Sequence, residues 1–192
     1  MYSLIIDSAT KILYIALVND EKILYENYIN CKNYHAKNIV SKIDEALKLN
    51  NITTDNLDEV IVGVGPGSYT GVRMAVTVAK MLATFKNIKL YKISTLKLMA
   101  SGYKCKVLAL IDARRNNSFA TIIDIENNNY ILNEGMYDND SLLSNEFDYK
   151  VTDESYLVDP LYVLENKEYV ENYHLLVPNY LRDTEAERNL ND

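Results

Sequence analysis

The chain has no tryptophan, two cysteines and two histidines, and these shortages exclude several kinds of chemistry. Cys31 and Cys105 lie far apart and outside CxxC spacing, which removes a disulfide framework and fits a reducing compartment. His35 and His174 have no second His or Cys at metal-ligand spacing, so the HExxH and HxxxH arrangements that hold zinc or iron are missing, and with them a metalloprotease. No GxSxG elbow occurs either, and only folding could bring a base such as His35 to Ser68. Cations are scarce: 20 Lys and Arg against 27 Asp and Glu give net charge −7, too few to neutralise many phosphates, so unaided tight binding of nucleic acid is not expected. There is no membrane-length apolar run and no basic leader followed by an apolar core, so a cytoplasmic chain without a membrane contact is expected.

What is present is ordinary globular material, 48% hydrophobic and 24% charged, and 192 residues allow two small lobes but not three. Residues 1–100 carry 12 basic and 9 acidic side chains, residues 101–192 carry 8 and 18, so the two halves differ in surface chemistry. Short runs rich in Leu, Ile, Val and Tyr at 4–7, 13–18 and 23–28 predict three antiparallel strands. Helical spacing of Ile39, Val40, Ile43, Ala46 and Leu47 predicts an amphipathic helix over 35–49, followed by a buried strand at 59–65, a helix at 71–85, a strand at 90–93 and a short helix at 96–103. The pattern then restarts: an apolar strand ending in Asp112, a polar turn and a return strand at 119–124 echo the strand ending in Asp7 and its return at 13–18. This reads as a duplicated lobe, with residues 1–103 forming the first and 104–192 a shortened, acidic second. Beyond Asn127 the signal weakens to a strand at 130–136 and a short helical or irregular piece at Leu142 and Leu143.

The densest local signal is GPGSYTGVR at 65–73, which holds three of the six glycines between a strand and a helix. Glycines and helix N-terminal amides there suit an anion, yet Val72 and Arg73 stand where a phosphate loop needs Lys and Ser or Thr. The other reading is a tight structural turn of Gly65, Pro66, Gly67 and Ser68, with Thr70 as N-cap. In the helix that follows, Gly71, Ala75, Ala79 and Ala83 recur every four residues as a smooth stripe on a helix that is apolar nearly all round. Such a helix needs cover on both sides, either from the second lobe or from another subunit. Asp7 and Asp112 stand where actin-type kinases place metal-directing carboxylates, but their turns, Ser8–Ala9–Thr10 and Ala113–Arg114–Arg115, lack the glycines that wrap phosphate, so turn-capping carboxylates are the other reading.

The apolar–Asp–Ser–Ala–Thr start, His35 at the head of the first helix, GVGPGSYTGVRMAVTVAK at 63–80, IDARRNNSF at 111–119 and PNYLRD at 178–183 together resemble the TsaB (YeaZ) family, in order and spacing over nearly the whole chain. The resemblance implies a mixed α/β, duplicated actin-like and ribonuclease-H-like (ASKHA) fold without a working ATPase, needing neither cofactor nor metal. It implies a non-catalytic partner that binds and stabilises a TsaD-like transferase making N6-threonylcarbamoyladenosine in tRNA, alongside a TsaE-like ATPase. Contact with tRNA would come only through the complex, and the chain alone would pair with itself. Family members pair through their first two helices, here 35–49 and 71–85, which assigns His35, Ile39, Gly71, Ala75, Ala79 and Ala83 to the partner interface. An ATP-dependent small-molecule kinase using Asp7 and Asp112 is the alternative.

Overall fold

The computed structural model describes residues 1–30 and 35–181, side chains 35–38 excepted. Three strands open the chain, β1 (Tyr2–Asp7), β2 (Ile12–Asn19) and β3 (Lys22–Asn30), joined antiparallel as a meander. Helix α1 (His35–Leu49) leads to β4 (Glu59–Gly63), which pairs parallel to β1, and α2 (Tyr69–Lys86) crosses to β5 (Lys89–Ile93), parallel to β4. A short helix α3 (Thr95–Ala100) then enters the second half.

There β6 (Lys106–Asp112) and β7 (Asn117–Asp124) form an antiparallel pair, β8 (Asn129–Asp138) adds to β7, and after the short helix α4 (Asn139–Leu143) β9 (Tyr149–Thr152) pairs parallel to β6. The strand arrangement β3-β2-β1-β4 of the first sheet therefore reappears as β8-β7-β6-β9 in the second. The second copy is shorter: among the described residues its sheet has no fifth strand, and a five-residue helix stands between β8 and β9 where the first copy has the fifteen-residue α1 between β3 and β4.

Three strands or helices escaped the sequence, β9 and the two that follow it. Helix α5 (Pro160–Glu165) starts on an Asp159 N-cap whose carboxylate accepts from the amides of Leu161 and Tyr162, with proline in the first turn where its missing N–H costs nothing. The chain then returns to the first sheet as β10 (Glu168–Tyr169), antiparallel to β5 at the edge. Val170 and Leu176 are buried in the first core, and Lys167 joins the buried Glu59 carboxylate, which also accepts from the Ser3 hydroxyl. A two-residue strand has no room for a period, so its pairing is decided by what lies across from it.

The first core lies under α1 and α2, between Leu4, Ile6, Leu13 and Ile15 of the sheet and Ile39, Ile43, Val72 and Ala79 of the helices. On the opposite face a second core mixes Ile5, Tyr14 and Ile61 of the first sheet with Leu96 and Met99 of α3 and Val107, Ala109 and Ile123 of the second sheet. The lobes thus share one apolar interior. They are also tied at its edge, where Thr10 and Tyr156 hydroxyls share a hydrogen bond and the Tyr28 hydroxyl accepts from the Val158 amide.

Candidate functional site

The first lobe's acidic strand end is sealed. Asp7 is fully buried; its Oδ1 accepts from the Ala9 amide at 2.8 Å and its Oδ2 from the Thr95 hydroxyl at 2.6 Å. No cation among the described residues stands against it, and burial pushes its carboxyl up to about 6. Thr95, the first residue of α3, also accepts from the Gly65 amide at 3.0 Å, while its own amide donates to the Gly65 carbonyl. One hydroxyl therefore fixes both the carboxylate and the loop. Thr95 is 88 positions from Asp7, and no local spacing announces the pair.

The loop at 65–68 presses directly on the turn after Asp7. The Ser68 amide donates to the Ala9 carbonyl at 2.7 Å, and the Ser8 hydroxyl donates to the Gly71 carbonyl at 2.7 Å. A Cβ on Gly71 would stand 1.9 Å from the Ser8 carbonyl oxygen, and one on Gly67, whose φ is 150°, would stand 2.3 Å from the Ala9 carbonyl oxygen. The glycines serve close backbone approach within the chain, so the space that a phosphate would enter holds the Ser8–Ala9 backbone. Gly65 and Pro66 are buried in the same turn. The helix starts earlier than expected: Ser68, not Thr70, is its N-cap, its Oγ accepting from the Gly71 amide at 3.3 Å, and Thr70 is an exposed first-turn residue. Two serine and threonine positions compete at this junction, and the packing of Gly67 on Ala9 selects the earlier one.

Asp112 is not brought to Asp7. It is exposed, with one carboxylate oxygen accepting from the Arg114 amide at 2.8 Å, and it lines an interlobe cleft of about 550 Å³ with Lys11, Ser68, Tyr69 and Arg114. Lys11 is engaged there with Asp153 and Glu154. Among the described residues no group of three His, Cys, Asp or Glu could hold a metal. No helix of these residues is long and apolar enough to cross a membrane.

The small-residue stripe requires a correction. Gly71, Ala75, Ala79 and Ala83 are buried inside the chain, as is Ile39 of α1, so they are not a surface open to a partner. Small side chains let α2 lie close on its own sheet, and that is the cover they have. The opposite face of α2 is the open one: Met81 is 53% and Phe85 75% exposed, with Met74, Val78 and Leu82 half-buried between the two faces. Val40, on the neighbouring α1, is 63% exposed. The side chain of His35 and the Arg182–Asp183 end of the 178–183 motif lie outside the described residues.

Two sheets of matching strand order, each with an acidic residue ending its first strand and a cleft between them, define an actin-like, ribonuclease-H-like two-lobed protein of the ASKHA class. A family model described as "TsaD: tRNA N6-adenosine threonylcarbamoyltransferase" matches residues 28–147, and the chain belongs to that family, as a protein of the TsaB/YeaZ kind. It is 29% identical over 130 residues to the tRNA threonylcarbamoyladenosine biosynthesis protein TsaB of Bacillus subtilis, covering 66% of this chain and 57% of that one. The protein of the same name from Escherichia coli is 33% identical over 119 residues, 59% of this chain and 51% of that one. The chain thus spans about half the length of the curated relatives it matches. The solved structure of YeaZ from Pseudomonas aeruginosa superposes with a TM-score of 0.76 at 18% identity, covering 94% of this chain and 99% of that chain, a likeness of fold.

Proposed function

We propose that this chain acts in the biosynthesis of N6-threonylcarbamoyladenosine in tRNA as a non-catalytic subunit that binds and stabilises a TsaD-like transferase. The observation that carries the reading is the outward face of α2, where the large apolar side chains of Met81 and Phe85 stand in solvent opposite a face buried in the chain's own core. Large apolar side chains exposed together on one helix are the ordinary mark of an association surface. Val40 of α1 extends the apolar surface, so the helices at 35–49 and 69–86 meet the partner through their outer faces rather than through the small-residue stripe. The name carried by the relatives from Bacillus subtilis and Escherichia coli supports the pathway. A TsaE-like ATPase completes the assembly, tRNA is reached through the complex, and a second copy of the chain occupies the same face when the partner is absent. What speaks against the kinase alternative is the sealed Asp7, with backbone where phosphate would lie, and the shared core that glues the two lobes.

The test pairs assembly with stability. Phe85→Glu and Met81→Glu put charge on the outer face and are expected to weaken sedimentation with a TsaD-like subunit tenfold or more, while the melting temperature of the chain alone stays within about 2 °C. Assembly unchanged in both variants would overturn the assignment of this face, and ATP turnover by the isolated chain that Asp7→Asn abolishes would overturn the non-catalytic role.

A further inference from the structure

Three pieces of chain cover the first core on one face of the first sheet. Helix α1 lies over β2, α2 lies over β4, and beyond β10 the segment 172–180 follows the flank of α2 that faces away from α1. Apart from a single 3-10 turn, Tyr173–Leu175, this segment is irregular, yet it is pinned along its length. Lys80 Nζ, midway along α2, donates to the His174 carbonyl at 3.1 Å, and the Asn179 amide donates to the Val64 carbonyl at 2.7 Å. The Tyr180 ring stacks on Tyr69 at the start of α2, with ring centres 5.2 Å apart. The segment therefore runs antiparallel to α2, and the 178–183 motif is brought against the 65–73 motif.

Fixing irregular backbone costs conformational entropy, which the burial of apolar side chains has to offset. Of three consecutive apolar residues only the middle one contributes inside the chain: Leu176 is buried in the first core, while Leu175 is 75% and Val177 70% exposed on either side of it. Among the described residues the five most exposed large aliphatic and aromatic side chains are Phe85, Leu175, Val177, Leu49 and Val40, and all five belong to α2, this segment and α1. Single apolar residues scattered over a surface mean little, but the strongest exposure gathered on three adjacent elements of one face marks an association surface. The apolar face of α1 and α2 thus continues, past the polar row Arg73, Thr77 and Thr84, onto the pinned segment. We propose that Leu175 and Val177 form a second contact with the TsaD-like subunit, on an apolar surface of that partner separate from the one that meets Met81 and Phe85. This contact rests on the partner role proposed above and deepens it, since it assigns to the interface a segment that no helical spacing announces.

The test adds a variant carrying Leu175→Asp and Val177→Asp to the sedimentation series with Phe85→Glu, using the same TsaD-like subunit. The double variant is expected to weaken assembly tenfold or more while the melting temperature of the chain alone stays within about 2 °C, and Leu143→Asp, on the exposed side of α4 in the second lobe, leaves assembly unchanged. Wild-type assembly by the double variant alongside weakened assembly by Phe85→Glu overturns the second contact and leaves the α2 face standing; wild-type assembly by both variants overturns the two together. If the double variant does not fold, methyl spectra of the wild-type chain decide. Shifts of the Leu175 and Val177 methyl signals when the TsaD-like subunit is added, with Leu143 unmoved, uphold the contact, and unmoved Leu175 and Val177 signals overturn it. The same shifts produced by concentrating the chain alone would seat a second copy there and overturn the assignment to the partner.

Discussion

The two acidic hairpins share a plan and differ in what lies on them. After Asp7, the turn at 8–10 is capped by the 65–71 loop and by Thr95, and every polar group near the carboxylate is engaged. After Asp112, no such loop descends among the described residues: the turn stays exposed and takes three consecutive left-handed residues, Arg114, Arg115 and Asn116, with φ of 65°, 54° and 59°. The first copy spends its glycines on close backbone contact with its neighbour; the second meets only the start of α4, through Asn116, and keeps side chains at positive φ. Duplicated strand order therefore does not preserve a site. What a hairpin becomes depends on which later element packs on its turn.

The sharpest way to break the contrast is to add one methyl to the capped turn. Gly71→Ala drives a Cβ into the Ser8 carbonyl, backbone against backbone, and is expected to cost about 3 kcal/mol or more in urea unfolding. Gly135→Ala, where the added Cβ meets the ring of Tyr137 at 3.0 Å, is the second-lobe control and should cost less because a side chain can turn away. An equal loss at both positions would refute the idea that only the first turn is clamped.

The carboxylates themselves come next. Asp7 has a folded-state value raised from 3.8 to about 6, so the folded chain binds the extra proton: its contribution is whole below about pH 3.8 and is lost as pH rises to about 6. That loss is on the order of 3 kcal/mol, and Asp7→Asn should flatten the fall in stability across this window. Denaturant midpoints at pH 4 and pH 7 for both proteins provide the check, and a profile that Asp7→Asn leaves as steep as wild type contradicts the buried, unpaired carboxylate. Asp112→Asn, on the exposed turn, should change stability at pH 7 by about 0.5 kcal/mol or less.

Smaller effects separate the two faces of α2. Ala79→Leu overpacks the inner face and should lower stability by about 1 to 3 kcal/mol, as thermal unfolding of the chain alone would register. An unchanged melting temperature would mean that the stripe is not packed on its sheet. One further small change is a gain: Arg115→Gly removes side-chain strain at positive φ and should add about 0.5 to 1 kcal/mol, so a loss of stability there would show that the Arg115 side chain has a partner of its own.

Periodicity alone determined much of the architecture. The opening meander, the helix at 35–49, a second helix expected at 71–85 and found at 69–86, the strand before it and the restart at Asp112 follow from apolar spacing over windows long enough to carry a phase. So did the unusual character of GPGSYTGVR, because glycines that cluster in a glycine-poor chain mark a place where backbones meet. The same reading left the loop between anion cradle and tight turn, and put the alanine stripe outward. Small residues permit close approach without saying by what, and only the packed sheet decided that the answer is the chain's own core. Thr95 on Asp7, Lys167 on Glu59 and the return of Glu168–Tyr169 to the first sheet span 88, 108 and about 77 positions of sequence. Contacts of that range leave no local period, since each is set by loop closure and by the shape of the surface it lands on.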